Sequence, residues 1–409
     1  MAAGWLTLLA VTWPLWTPQT RFPAIPWFGF LTEAPAALDW VCLAGMIGGL
    51  AVLLIRPACG AWPWWLVMTA AMVSISLDQD RLQPWAYQFV LMGWVIAGGR
   101  DPARTNLLRM LALSIYFYSA LSKLNQPFVV GLGRLFLEAG SELVGLQGEA
   151  WPESLRWMSL LFPLGELLVF ALLAAGWWRW RGALIAGIGL GTVMHLGLLL
   201  LVGPWGLNHS WGVLLWNLFF IGQLFFLFGR VEPAHALEGK PLDRLGSLRR
   251  AAPLPLLVTS LAILLPMLEP LGYFDHWPAW ALYSSHVSQA ELILPEYTLE
   301  RLPPEIRSHA IPVDDAGTRY RLDLGGWSLR ELGVPAYPQA RFELAAGLAT
   351  VDRQQLRRFS QVILSGPAGR ISGTRRIATF RTPVELQRAE DAYWFNTRPR
   401  RIWREAADH

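Results

Sequence analysis

Residues 182–203 read GALIAGIGLGTVMHLGLLLLVG, a stretch without a charged side chain in which His195 is the sole titratable group. At ~1.5 Å per residue, a helix of this length spans about 33 Å, enough for the ~30 Å hydrocarbon core of a bilayer. Working outward, comparable stretches occupy 3–17, 36–55, 61–77, 84–98, 107–124, 157–177, 211–229 and 252–270. The sequence therefore predicts an α-helical polytopic membrane bundle of about eight to nine transmembrane helices over residues 1–272. A small α+β domain is predicted over 273–409. The first stretch is short and contains Pro14, so an interfacial or half-span is expected there. It lacks a basic leader and a clear small-residue cleavage site, which argues against a removed signal peptide.

Composition points the same way. Apolar residues make up 54% of the chain and charged residues 16%, against ~25% charged in soluble domains. Mean hydropathy is +0.34. The 23 tryptophans gather near segment ends, as in an interfacial aromatic belt. Cys42 and Cys59 form no CxxC pair, which argues against a thiol-redox centre or a disulfide framework. A net charge of +4 is too diffuse for nucleic acid. No phosphate-binding GxxxxGK[ST], HExxH or GxSxG pattern is present, no metal site is predicted, and no internal repeat is found.

The tail changes character. Ala290–Leu294 and Arg319–Leu324 read as strands, and Gln339–Thr350 and Pro383–Ala392 as helices, with Gly, Pro and Asp clusters between them. The link Tyr273–Tyr283 (YFDHWPAWALY) is aromatic and is expected along the membrane surface. Gly131–Ala139 (GLGRLFLEA) fits a re-entrant helix or a surface helix against the outer leaflet.

Loop charge sets the expected orientation. Loops after the second, fourth, sixth and eighth stretches carry eleven basic residues: Arg56, Arg100, Arg104, Arg109, Arg179, Arg181, Arg230, Lys240, Arg244, Arg249 and Arg250. The alternate loops carry five, Arg21, Arg81, Lys123, Arg134 and Arg156, and most of the acids. Those acids are Glu33, Asp39, Asp78, Asp80, Glu138, Glu142, Glu149 and Glu153. The bias places the first set of loops in the cytoplasm. The chain is then expected in the cytoplasmic membrane with its C-terminal domain on the extracytoplasmic side.

An ionisable group in a span costs about 2.5–3.5 kcal/mol for a central Asp, Lys or Arg. Here such groups fall in similar layers. Lys123 ends the fifth stretch, Glu166 lies midway along the sixth, and His195 and Asn217 lie in the outer halves of the seventh and eighth. Gln88 is near the outer end of the fourth, Asp78 and Asp80 follow the third, and Asn208 and His209 fill a short outer turn. With Tyr116, Tyr118 and Asn125, these residues are expected to line one outward or outer-leaflet cavity, with Lys123, His195 and Glu166 as catalytic candidates. Simpler roles compete. Asn217 and Gln88 suit helix–helix hydrogen bonds, Asp78, Asp80 and Arg81 a solvated loop, Glu166 a structural partner of Lys123, and His195 a core histidine. Lys123 stands out because the 34 basic residues include two lysines, Lys123 and Lys240. Lysine, unlike arginine, can lose its proton when buried; snorkelling to the interface is the alternative.

At Ile115–Gly131 (IYFYSALSKLNQPFVVG) the chain resembles the HTTM family, the membrane domain shared with vitamin K-dependent γ-carboxylase. The likeness rests on an aromatic pair, a small residue, Lys-Leu at a span end and a following Gly. Met194–Phe220 is similar to that family's later His-bearing helix. The resemblance implies a helical bundle with an extracytoplasmic α/β domain, a quinone or vitamin K-like lipid as cofactor, and Lys123 as the base that deprotonates the reduced quinone. Phe128 occupies the family's Trp position, and the carboxylase thiols have no clear counterpart. The Lys-Leu pattern is also similar to DoxX and MauE-like membrane proteins. Trp327–Arg341 and Tyr393–Arg398 look like tail phrases of bacterial proteins with this layout.

Three function classes follow. The first is an enzyme acting on a lipid-soluble, quinone-like molecule. The second is a non-catalytic DoxX/MauE-like accessory protein that docks an extracytoplasmic protein partner. The third is a transporter, for which repeats and broken midplane helices are the expected signs.

Overall fold

The computed structural model describes residues 1–145, 153–229, 246, 248 and 251–405. Glu149, Arg230, Lys240, Arg244, Arg249 and Arg250, which enter the loop-charge comparison, lie outside the described residues. The membrane part is built from α1 (Ala2–Val11), α2 (Ala37–Ile55), α3 (Trp62–Leu77), α4 (Pro84–Gly98), α5 (Ala103–Lys123), α6 (Leu132–Leu143), α7 (Leu161–Trp178), α8 (Arg181–Val202), α9 (Trp211–Phe228) and α10 (Pro253–Leu264).

Five described helices are long and apolar enough to cross a membrane: α2, Ser154–Trp178 with α7 at its end, α8, α9, and Pro253–Leu271 with α10 at its start. A sixth is added if α5 and Gln126–Leu143, which meet at a 75° bend, form one broken span. The count by length and composition is thus five or six, below the eight to nine expected. α1 and α3 are apolar but shorter. Prolines at the first turns of α3 and α4 fix where those helices begin. The first stretch breaks where Thr12 leaves helical geometry (φ −112°, ψ 27°) ahead of Pro14. The Thr12 hydroxyl donates to Leu8 O at 2.6 Å and accepts from Trp16 Nε1 at 3.0 Å.

Small residues bring the long helices together. A Cβ on Gly176 of α7 would lie 2.4 Å from Leu184 Cα of α8. Backbone contact of this closeness excludes any larger side chain.

After α10 a 3₁₀ segment, Leu265–Leu271, ends at Gly272 in the left-handed region (φ 78°). The tail then forms an antiparallel sheet in the order β2-β3-β1-β4-β5. Its strands are β1 (Gln289–Pro295), β2 (Ala310–Pro312), β3 (Arg319–Leu322), β4 (Gln361–Ser365) and β5 (Ile377–Phe380). In register, Leu292 pairs with Val362 and Leu294 with Tyr320. α11 (Leu324–Leu332), α12 (Ala340–Arg353) and α13 (Pro383–Asp391) complete it. α12 packs on β1, with Gly347 over Leu292. α13 opens on a capping box between Thr382 and Glu385, which satisfies otherwise unpaired N–H groups.

The sheet unit shares a continuous apolar core with the bundle, running from Trp5 to Trp403. It docks at the bundle end that carries Asp39, Gln79, Gln83 and Gln126. Arg400 holds Asp39, Asn396 O accepts from Gln79, Pro335 O accepts from Gln83, and Arg370 O accepts from the Gln126 N–H. Arg56 caps the other end of α2, and Arg179 and Arg181 sit at the other ends of α7 and α8.

Two expectations are corrected here. Asp78, Asp80 and Arg81 are fully enclosed, not a solvated loop: Arg81 and Asp80 are 0% exposed. The tail closes over them, with Ser328 Oγ donating to Asp80 at 3.2 Å and Arg341 Nε to Gln79 at 3.0 Å. The aromatic link is exposed at Tyr273 but enclosed from His276 to Ala281, where Trp277 packs on Tyr337 and Trp280 on Tyr87.

Candidate functional site

A cavity of about 1110 Å³ lies where α5 to α9 meet the aromatic link. Its wall is mostly apolar, including Trp85, Phe136, Phe162, Trp216, Phe220 and Trp277. A volume and lining of this kind suit an apolar small molecule held by a few polar groups.

The polar groups come from four helices. On α5, Tyr116, Ser119 and Lys123 recur at three- and four-residue spacing and so share one face. α7 contributes Glu166, α8 His195 and α9 Asn217, with His209 from the turn between α8 and α9.

Lys123 is buried, and Glu166 is 13% exposed at its side chain. Lys123 Nζ donates to Glu166 Oε1 at 3.0 Å and Oε2 at 2.9 Å, to Ser119 Oγ at 2.6 Å and to Ser119 O at 2.9 Å. An ammonium has three hydrogens and no lone pair, so this arrangement engages all its donors. Its place in the last turn of α5 also sets the cation against that helix's free carbonyls.

Next to this pair runs a neutral chain. Asn217 Nδ2 donates to Val213 O at 2.9 Å, which turns Oδ1 toward His195. His195 Nδ1 lies 2.9 Å from that oxygen and therefore carries the hydrogen. In the neutral ring Nε2 is then bare and accepts from the Tyr116 hydroxyl at 2.8 Å. The imidazole stacks on Phe220 (4.9 Å between centroids, 8°).

The structure thus brings Lys123, Glu166, His195, Tyr116, Asn217 and His209 to one wall. The remaining candidates lie off it. Tyr118 donates to Ile263 O at 2.6 Å. Asn125 caps the short helix Gln126–Val130 by accepting from Phe128 N. Asn208 takes a left-handed turn conformation (φ 49°). Gln88 bridges helices, donating to Gln223 Oε1 at 2.9 Å and accepting from Trp216 Nε1 at 2.6 Å. Asp78 accepts from Ile25 N at 3.3 Å and Asp80 N at 3.2 Å. Tyr118, Asn125, Gln88 and Asp78 thus spend hydrogen bonds on structural contacts away from the cavity.

Sequence reading missed Ser119, which shares Lys123 with Glu166. Its i−4 spacing from a terminal lysine was the available signal. It also missed Trp277, a wall residue from a link that reads as surface, and Ser284, which follows that link.

Comparison with family models, with curated proteins and with solved structures returns no match.

Proposed function

We propose that the cavity holds a lipid-soluble, quinone-like molecule and that the Lys123–Glu166 pair removes a proton from its hydroxyl group. The chain then acts as a membrane enzyme of the HTTM, vitamin K-dependent carboxylase-like type. The observation that carries this reading is a fully engaged ion pair on the wall of an otherwise apolar cavity. An ion pair facing such a space goes from zero to +1 on taking one proton, and the substrate oxyanion left beside it balances that charge.

The roles differ from the sequence expectation of Lys123 as the base. Lys123 presents no lone pair, whereas the Glu166 carboxylate does. In the proposed step the substrate O–H bond breaks, Glu166 takes the proton and becomes a carboxylic acid, and the substrate oxyanion stays beside the Lys123 ammonium. Positioned bases contribute ~10²–10⁴-fold, and a fixed cation in a dry site stabilises the oxyanion. Tyr116, oriented by His195 and Asn217, offers its oxygen to the same wall.

The membrane placement belongs to the same proposal. The sheet unit sits at the arginine-poor bundle end, which the positive-inside rule assigns to the outer face of the cytoplasmic membrane. Shorter α1, α3 and α4 complete the bundle beside the longer helices, the mismatch being taken up by local thinning and by flanking side chains that reach the interface.

Binding of a short-chain naphthoquinone to the purified protein in nanodiscs tests the reading. Met194→Trp, which fills the cavity, is expected to weaken binding by at least about tenfold. Leu66→Trp, on an exposed bundle face, should leave it unchanged. Equal affinity in both variants would remove the cavity from consideration.

A further inference from the structure

Behind the cavity wall, three buried side chains converge: Glu269, His276 and His286, with donor atoms all within 4.8 Å of one another. Glu269 sits in the 3₁₀ segment that ends the last membrane helix. The left-handed turn at Gly272 brings His276 back over it. The chain then passes through Trp280 (φ 58°) and Tyr283 (φ 55°) before His286 arrives. Two non-glycine residues held in left-handed geometry within one short link show that the link's shape is imposed by its surroundings.

The polar contacts are specific. His276 Nδ1 lies 2.7 Å and His286 Nε2 2.8 Å from the same oxygen, Glu269 Oε1. The other His286 nitrogen, Nδ1, lies 2.5 Å from Ser284 Oγ. Ser284 Oγ is also 3.2 Å from Ser122 O, so its one hydrogen goes either to that carbonyl or to His286 Nδ1. In the first case Nδ1 carries the ring hydrogen and a bare Nε2 faces Glu269 Oε1, which suits a bound cation. In the second Nε2–H donates to Glu269 Oε1 and the cluster is satisfied without one. The second carboxylate oxygen has Arg370 Nη2 at 3.7 Å, an ion-pair distance on the side away from the imidazoles.

We propose that Glu269, His276 and His286 form a structural site for a divalent transition-metal ion of the Zn²⁺ class. Two imidazoles and one carboxylate are a ligand set such ions accept, at ~2.0–2.2 Å per bond. Tetrahedral bonds of that length separate donors by about 3.3–3.6 Å, so the imidazole–carboxylate spacings of 2.7 and 2.8 Å open by roughly 0.5–0.9 Å. With the ion bound, Ser284 accepts from His286 Nδ1–H, the role such partners play around metal-bound histidines. The ion would pin the last span to the link that carries Trp277 and Ser284 of the cavity wall. Arg370 neutralises the remaining carboxylate oxygen and limits the affinity. No metal spacing was read from the sequence because Glu-x6-His-x9-His matches no helical or hairpin pattern.

The test uses the full chain, purified in detergent without chelator. Elemental analysis after Zn²⁺ loading is expected to give about one ion per chain, and Co²⁺ loading to give the intense visible bands of a tetrahedral site. Both signals should fall at least tenfold in Glu269→Gln, which keeps an oxygen acceptor for the imidazoles, and in His286→Ala. His309→Ala, a histidine of the outer unit, should retain both. Chelation should lower the melting temperature of the wild type and leave that of Glu269→Gln in place. Sub-stoichiometric metal in the wild type, or metal binding that persists in both site variants, would overturn the proposal. If a variant fails to fold, the wild-type stoichiometry and Co²⁺ spectrum decide alone.

Discussion

Two buried ion pairs lie at the same end of the bundle and differ in what surrounds them. Asp39 is held by Arg81 at 2.7 Å and Arg400 at 2.9 Å, all with fully enclosed side chains. Both arginines spend further donors on carbonyls, Arg81 on Leu15 O and Thr17 O and Arg400 on Ala34 O and Pro35 O. Protein surrounds that cluster on every side, and it ties residues hundreds of positions apart. Lys123 and Glu166, by contrast, face open volume. Charge burial alone therefore does not mark a site; what marks it is a charged pair with room for a third partner.

The contrast can be broken by mutation. Removing one partner of an enclosed pair leaves an uncompensated buried charge and typically costs 3–5 kcal/mol. Asp39→Ala is expected to lose about that much, read as a large fall in melting temperature in detergent. A change near zero would show that water reaches the arginines.

A second prediction concerns pH. Burial raises Glu343 from its usual range to about 7, opposed by the Ala290 N–H that donates to it. Its folded value lies above the unfolded one of 4.5. Its stabilising contribution is therefore complete below about pH 4.5 and is lost as pH rises through about 7. The slope in that window is of the order of 1.4 kcal/mol per pH unit. Asp78, at about 6, and Asp80 are raised by burial as well and act in the same direction. Glu343→Gln should flatten the wild-type slope without abolishing it. An identical pH dependence in the two proteins would refute the assignment.

The smallest effect is expected at Gln88. Its bonds to Gln223 and Trp216 join helices, and such interhelical bonds average ~0.6 kcal/mol. Gln88→Ala should shift stability by about that amount and leave quinone affinity unchanged. A large loss of binding would place Gln88 in the site after all.

These regions were unequally legible in the sequence. Long apolar helices announce themselves by length, as at 182–203, and the tail strands as short segments between Gly, Pro and Asp clusters: β1 extends the expected Ala290–Leu294 by one residue at each end, whereas β3 stops at Leu322, before Asp323 caps α11, two residues short of the expected Leu324. Lys123, Glu166 and His195 stood out because ionisable groups are rare in apolar segments. The crossing count was less readable: the stretches at 61–77 and 84–98 form helices of almost those bounds, but at 16 and 15 residues they are shorter than a crossing needs. Asp78–Arg81 could not be read as core, since the groups that bury it, Ser328 and Arg341, arrive from about 250 residues away. The same holds for the Glu269 cluster, which exists only through the fold of its link.

In the proposed step Glu166 takes a proton from a bound hydroxyl while Lys123 holds the resulting oxyanion. The direct measurement is the ultraviolet spectrum of a reduced naphthoquinone bound anaerobically to the protein near neutral pH. The wild type should show the ionised form, and Glu166→Gln should bind the same molecule in its neutral form. A neutral spectrum in the wild type, or an ionised one that survives Glu166→Gln, would rule out Glu166 as the base.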